Sequence, residues 1–201
     1  AVLLCITMLL CISPLSPRVA FGEDGDAGVS DSVEDGAGDA STEDGSIVTY
    51  RQDLNAERMM DSAARLEMPQ FPKERFLAAV DAVVKANAEW VPPYGSGATF
   101  YLRPYMFASG PVIGVKPSDE YQFRIFGTPV GPYFKGGVKP LTLCVSDFDR
   151  AAPHGTGHIK AGLNYAMSLH AHSVAHGAGY DENMFLDPAT RTYVEETGGA
   201  N

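Results

Sequence analysis

From Ile47 onward the apolar positions keep two rhythms, one helical and one strand-like, and their alternation predicts a mixed α and β chain. Ile47–Tyr50 reads as a short strand. Asn55 then stands as the N-cap of a helix with Met59, Ala63 and Leu66 on one face, and Glu57 suits the helix dipole in its first turn. Pro72 opens a second helix whose apolar positions are Phe76, Leu77, Val80, Val83 and Val84, and which ends before Pro92-Pro93. Ala98–Arg103, Tyr121–Thr128 and Leu141–Val145 alternate or run apolar as strands. Farther on, the pattern predicts a Gly-rich turn and a helix from about Asn164 to Ala178. A hairpin of Met184–Asp187 and Thr192–Glu196 then turns around Pro188-Ala189-Thr190-Arg191.

The breaks between these elements suggest an organisation. Pro129–Pro140 is rich in Gly and Pro and reads as an interdomain connector between a small α/β domain at 47–128 and a second unit at 141–201. Residues 22–46 hold nine Asp and Glu with no Lys or Arg and almost no large apolar side chain, so they are expected to form an acidic, disordered linker. Residues 1–21 are an apolar segment without an assigned role. The run Ala1–Ser13 is shorter than the roughly 20 residues a bilayer requires. It lacks a basic n-region, and Arg18-Val19-Ala20 is a poor signal-peptidase site.

Charge then narrows the function. The net charge is −10, and removing the nine acidic residues of the linker leaves −1 for the rest of the chain. No basic face is left to attract nucleic acid, and no membrane partner is expected. Cys5, Cys11 and Cys144 are odd in number and show no metal or redox spacing, which fits a reduced, cytoplasmic setting. The apolar head still leaves room for a targeting signal. The chain closes on Thr197-Gly198-Gly199-Ala200-Asn201, a Gly-rich turn without a closing element, and is expected to be a fragment.

The chemistry concentrates in Gly155-Thr156-Gly157-His158-Ile159-Lys160-Ala161-Gly162-Leu163-Asn164-Tyr165, followed by Glu196. A catalytic lysine needs burial or cationic neighbours to be neutral part of the time. The glycines would let backbone approach a flat ligand. A carboxylate can keep a pyridine nitrogen protonated, and a phenol can bond the ring's oxygen. Singly, Lys160 reads as a surface lysine, Tyr165 as a core tyrosine and Glu196 as a strand end. All five histidines lie between His154 and His176, and His172 and His176 share a helical face; without a third ligand at a known spacing no metal is expected. Arg58, early in its helix, and Arg103, after a strand, are candidates for anionic ligand groups. There is no P-loop, no Gly-x-Gly-x-x-Gly before a helix, and no Ser or Cys nucleophile in a known setting.

Six segments agree in order with one family. They are Asp53-Leu54-Asn55-Ala56-Glu57-Arg58-Met59, Tyr101-Leu102-Arg103-Pro104, Pro111-Val112-Ile113-Gly114-Val115, Pro129-Val130-Gly131-Pro132-Tyr133-Phe134, Gly155–Tyr165, and Glu195 through Asn201. Together they resemble the branched-chain amino acid aminotransferases of pyridoxal-phosphate fold type IV, over about residues 45–201. The resemblance implies an α+β fold: a small N-terminal α/β domain and the beginning of a larger, β-rich cofactor domain. It implies pyridoxal 5'-phosphate as cofactor, with Lys160 as Schiff-base and proton-shuttling lysine, Glu196 at the ring nitrogen, Tyr165 at the ring oxygen and Arg58 at the phosphate. Tyr101, Arg103, Val115 and Tyr133 match positions lining the substrate pocket or its interdomain lid. The implied reaction is ping-pong transamination of leucine, isoleucine and valine with 2-oxoglutarate, giving 2-oxo acids and glutamate, in a homodimer when full length. Alternatives are another fold type IV enzyme, such as a D-amino acid transaminase or aminodeoxychorismate lyase, or an inactive fragment. Leu163 stands where the family often has Gly, which predicts a slightly altered turn before Tyr165. The family's Phe-Glu-Gly strand region is replaced here by the acidic stretch, and the family continues past Asn201. The 201-residue chain is therefore expected to bind cofactor weakly or not at all.

Overall fold

The computed structural model describes residues 40–131 and 140–198. The apolar head, most of the acidic linker, most of the connector and Tyr133 lie outside the described residues. The two described stretches belong to two compact units.

The first unit opens with a two-residue pairing of β1 (Ala40–Ser41) and β2 (Ile47–Val48). Helix α1 spans Gln52–Arg65, so it begins before Asn55, the expected N-cap. The cap is Arg51, in the left-handed region at φ 41°, whose carbonyl accepts from the Leu54 and Asn55 amides at 3.1 and 3.3 Å. Asp53 sits in the first turn and pairs with Arg51 at 3.0 Å. A non-glycine left-handed cap is uncommon and leaves no side-chain signature in sequence.

Helix α2, Lys73–Ala86, follows Pro72, which supplies the extended cap and accepts from Arg75 and Phe76 at 3.0 Å each. Its buried positions Phe76, Ala79, Val80, Val83 and Val84 repeat at i, i+3, i+4, i+7 and i+8, the stripe of a core-facing helix. Asn87 ends it, its side chain donating to the Val83 carbonyl at 2.8 Å and satisfying one of the helix's orphan acceptors.

Strands β3 (Thr99–Ala108) and β4 (Tyr121–Val130) form an antiparallel ribbon running from Thr99↔Val130 to Ala108↔Tyr121. Both outlast the expected spans, because prolines that should stop a strand are tolerated here. Pro104 pairs with Ile125 and Pro129 with Phe100, two pairs of the same parity. A two-stranded ribbon turns every second N–H away from the partner, and a proline there loses no ladder bond. Tyr121, Phe123 and Ile125 point inward from β4 onto α2, with Phe71 and Phe123 stacked at 4.0 Å. Gly127 admits the Phe100 ring where any Cβ would collide with it.

The second unit is built around β5 (Leu143–Val145), α3 (Gly162–Gly177), β6 (Glu182–Leu186) and β7 (Val194–Thr197). The sheet order is β5-β6-β7, with β5 parallel to β6 and β6 antiparallel to β7. Among its described residues Phe185 is the largest fully buried apolar side chain. The β6–β7 connection is organised by Asp187, whose carboxylate accepts from the Thr190, Thr192 and Tyr193 amides at 2.7, 2.8 and 2.9 Å. Among the described residues no helix is long and apolar enough to cross a membrane.

Candidate active site

Lys160 lies one residue before the extended cap of α3, between the buried side chains of Ile159 and Ala161. It is half-buried rather than displayed on a surface loop. Asn164 fixes this segment. Only 2% exposed, it donates to the carbonyls of Thr156 and Ile159, both at 2.8 Å, and accepts from the Thr156 hydroxyl at 3.0 Å. The loop is thereby pinned to the first turn of the helix.

Two glycines of the loop are required by the chain's own packing. A Cβ on Gly155 would stand 2.8 Å from the Ala152 carbonyl, and one on Gly157 would stand 2.8 Å from the Ala151 side chain. They are small because the loop packs on its own preceding turn. Leu163 occupies the open side of α3's first turn, 48% exposed.

Tyr165, one turn on, places its ring centroid 5.4 Å from the Lys160 ammonium nitrogen. Glu196 reaches the same place from β7. It pairs with Phe185, whereas Leu186 pairs with Val194, so Glu195 is an extra residue in β7. Such a bulge re-aims side chains, and here Glu196 lands on the face of the buried Phe185 while Glu195 stays exposed. Burial pushes the Glu196 carboxyl up from its ordinary value; Arg150 opposes this, Glu195 adds to it, and Lys160 also opposes it. The structure thus brings Lys160, Tyr165 and Glu196 together within the second unit.

It adds a residue that sequence reasoning missed. Arg150, 4% exposed, follows β5 and lies with its Nε 3.1 Å from Oε1 of Glu196 and its guanidinium carbon 5.0 Å from the Tyr165 ring centroid. Asp147 and Asp149 precede it in the sequence, and nothing beside it marks it as buried. Its burial depends on chain 46 positions away, and no local pattern encodes that.

The remaining candidates belong to the first unit. Arg58 is exposed on α1 and bonds the Asn55 side chain at 2.7 Å. Tyr101 and Arg103 share one face of β3, with the guanidinium carbon 5.4 Å from the ring centroid. Tyr105 and Phe107 continue that face and went unremarked in the sequence, although the period of two would have found them. Val115 is fully exposed in the loop between β3 and β4. The histidine pair is real as geometry: the His172 and His176 rings are 4.2 Å apart, and His172 Nδ1 lies 3.0 Å from Glu182. Among the described residues no group of three His, Cys, Asp or Glu is placed to hold a metal.

Fold comparison places the architecture among the fold type IV aminotransferases. The branched-chain amino acid aminotransferase of Escherichia coli aligns with TM-score 0.63 at 26% identity, over 80% of this chain and 50% of that one. The holo, PLP-form enzyme of Thermobaculum terrenum aligns at 0.63 and 25% identity, over 81% and 50%. The family model "Amino-transferase class IV" matches residues 40–201, and the chain belongs to that family. Among curated relatives, the branched-chain-amino-acid aminotransferase of Haemophilus influenzae is 52% identical over 163 residues, covering 79% of this chain and 48% of its own. That of Helicobacter pylori is 48% identical, covering 78% and 47%. The chain spans about half the length of these relatives.

Proposed function

We propose that this chain carries the cofactor-side residues of a cytoplasmic, pyridoxal 5'-phosphate-dependent transamination of leucine, isoleucine and valine with 2-oxoglutarate, yielding branched-chain 2-oxo acids and glutamate. The observation that carries this reading is the convergence of Lys160, Tyr165 and Glu196 at the start of α3. The relatives that share this stretch are named for the same activity. The donor set suits the cofactor: an amine, a phenol and a carboxylate held by a fixed loop, a helix turn and a bulged strand. When bound, the cofactor supplies the electron sink that makes the substrate's α-proton acidic.

The chain's own residues would divide the work. Lys160 Nζ would hold the cofactor and would carry the proton to and from the substrate α-carbon. Glu196 Oε would accept from the protonated ring nitrogen, and the Tyr165 hydroxyl would bond the ring oxygen. Arg58 would contact the phosphate. Tyr101, Arg103, Val115 and Tyr133 would line the substrate pocket, Arg103 meeting the second carboxylate of glutamate and apolar walls meeting the branched side chains. A homodimer completes the proposal.

Borohydride reduction of the cofactor-loaded full-length protein tests it, with pyridoxyl expected on Lys160; a label on Lys135 or Lys139 instead would sink the assignment. Half-reactions should proceed with L-leucine and fail with D-alanine. The reverse preference would favour a D-amino acid transaminase.

A further inference from the structure

One guanidinium holds three pieces of the chain. Arg150 Nη1 donates to the main-chain carbonyl of Asn164, its Nε stands 3.1 Å from Glu196 Oε1, and its planar head covers the Tyr165 ring at 5.0 Å. The side chain is 5% exposed, against 15% for Glu196. An arginine does not give up its proton in a protein, so this is a permanent buried charge that must be balanced by neighbours. Its Nε lies within ion-pair distance of Glu196 but makes no hydrogen bond in its present orientation. The contact is therefore chiefly electrostatic, and the directional bond is the one to Asn164.

We infer that Arg150 is a positioning residue of the site, setting the Glu196 carboxylate and the Tyr165 ring in fixed relation to each other and to the turn that carries Lys160. The inference rests on the proposed function for what Glu196 and Tyr165 do, though the contacts stand without it. The logic is one of charge as well as place. Glu196 faces Arg150, Lys160 and Glu195, and its carboxyl is pushed up by burial and held down chiefly by Arg150. A carboxylate keeps a ring nitrogen protonated only while it is itself ionised. Lysine could supply the charge, but not a planar head that lies over Tyr165 while donating to Asn164.

The test is a carboxyl titration in the full-length protein, with Glu side chains labelled with carbon-13 and the Glu196 resonance assigned through Glu196→Gln. Arg150→Gln should raise the Glu196 midpoint by about one pH unit or more, since an opposite charge within about 4–6 Å moves a carboxyl by that order. Arg150→Lys should keep the midpoint nearer the parent's while shifting the Tyr165 ring resonances. With nitrogen-15 pyridoxal phosphate bound, Arg150→Gln should lose the protonated ring-nitrogen signal that the parent shows. A folded Arg150→Gln with an unmoved Glu196 midpoint overturns the inference. Should Arg150→Gln not fold, an Arg150→Lys protein with parental Tyr165 resonances overturns it equally. If the parent binds no pyridoxal phosphate, the functional proposal fails while the titration still judges Arg150.

Discussion

The two units are held by different means. The first closes on a packed cluster of Phe71, Phe76, Val80, Val83, Met106, Tyr121, Phe123 and Ile125, and its buried polar groups are few. Among the described residues of the second, Phe185 is the one large apolar side chain wholly buried, and Arg150, Asn164, Ser168, Asn183 and Ser146 are buried in the same unit. Its loops are tied by side chains: Asn164 to 156–159, Asp187 to 190–193, Asp181 to Thr142, and Arg191 to Ser146 and Asp149. Apolar packing is tolerant of small shifts, whereas hydrogen bonds fix direction. The candidate cofactor residues Lys160, Tyr165 and Glu196 lie in the unit where direction is fixed.

That contrast can be broken by mutation, beginning with the largest effect. Phe76→Ala or Phe123→Ala should cost about 3–5 kcal/mol by the cavity each leaves, read as a lower denaturant midpoint. A loss below about 1 kcal/mol would show that the first unit is not core-dominated. Asn164→Ala should cost about 1–3 kcal/mol, because it strands buried carbonyls. Its signature is faster amide exchange across 156–160 with the first unit unaffected; unchanged exchange there would remove the staple.

Acid should separate two carboxyls in opposite senses. Asp187 is held well below the ordinary carboxyl value of 3.8, chiefly by the Tyr193 and Thr192 amides. Its contribution is present above that value and is lost as pH falls through the lower folded one. Glu196 is held above its ordinary value by burial, so lowering pH through its folded value relieves a cost. Acid titration followed by NMR should therefore loosen 187–193 while leaving β7 at Glu196 intact. Simultaneous loss of both would contradict the assignment. Smallest of all, Asp149→Ala removes only the exposed pair with Arg191, leaves the Arg191 bond to the Ser146 carbonyl in place, and should change stability by no more than about 1 kcal/mol in a thermal scan.

The same contrast explains what could be foreseen from the sequence. Helix α2 was legible because Pro72 and a strict apolar stripe mark it, and the strands of the ribbon because they alternate. The start of α1 was not, since a left-handed arginine cap has no compositional signal. Nor were the full lengths of β3 and β4, because a proline's harmlessness depends on which way its N–H would have faced. Lys160, Tyr165 and Glu196 were found by resemblance to a family, each being unremarkable alone. Arg150 and the bulge at Glu195 are tertiary facts: one needs the buried neighbour, the other the strand register.

The pinned loop before α3 also sets how the site can vary. Gly155 and Gly157 have no room for a side chain, and Asn164 has three hydrogen bonds to lose, whereas His158 and Leu163 face outward. A library randomised across 155–165 and selected for function should therefore return a comb, with diversity at 158 and 163 and near silence between. Drift along this segment would leave the lysine where it is while changing the surface around it.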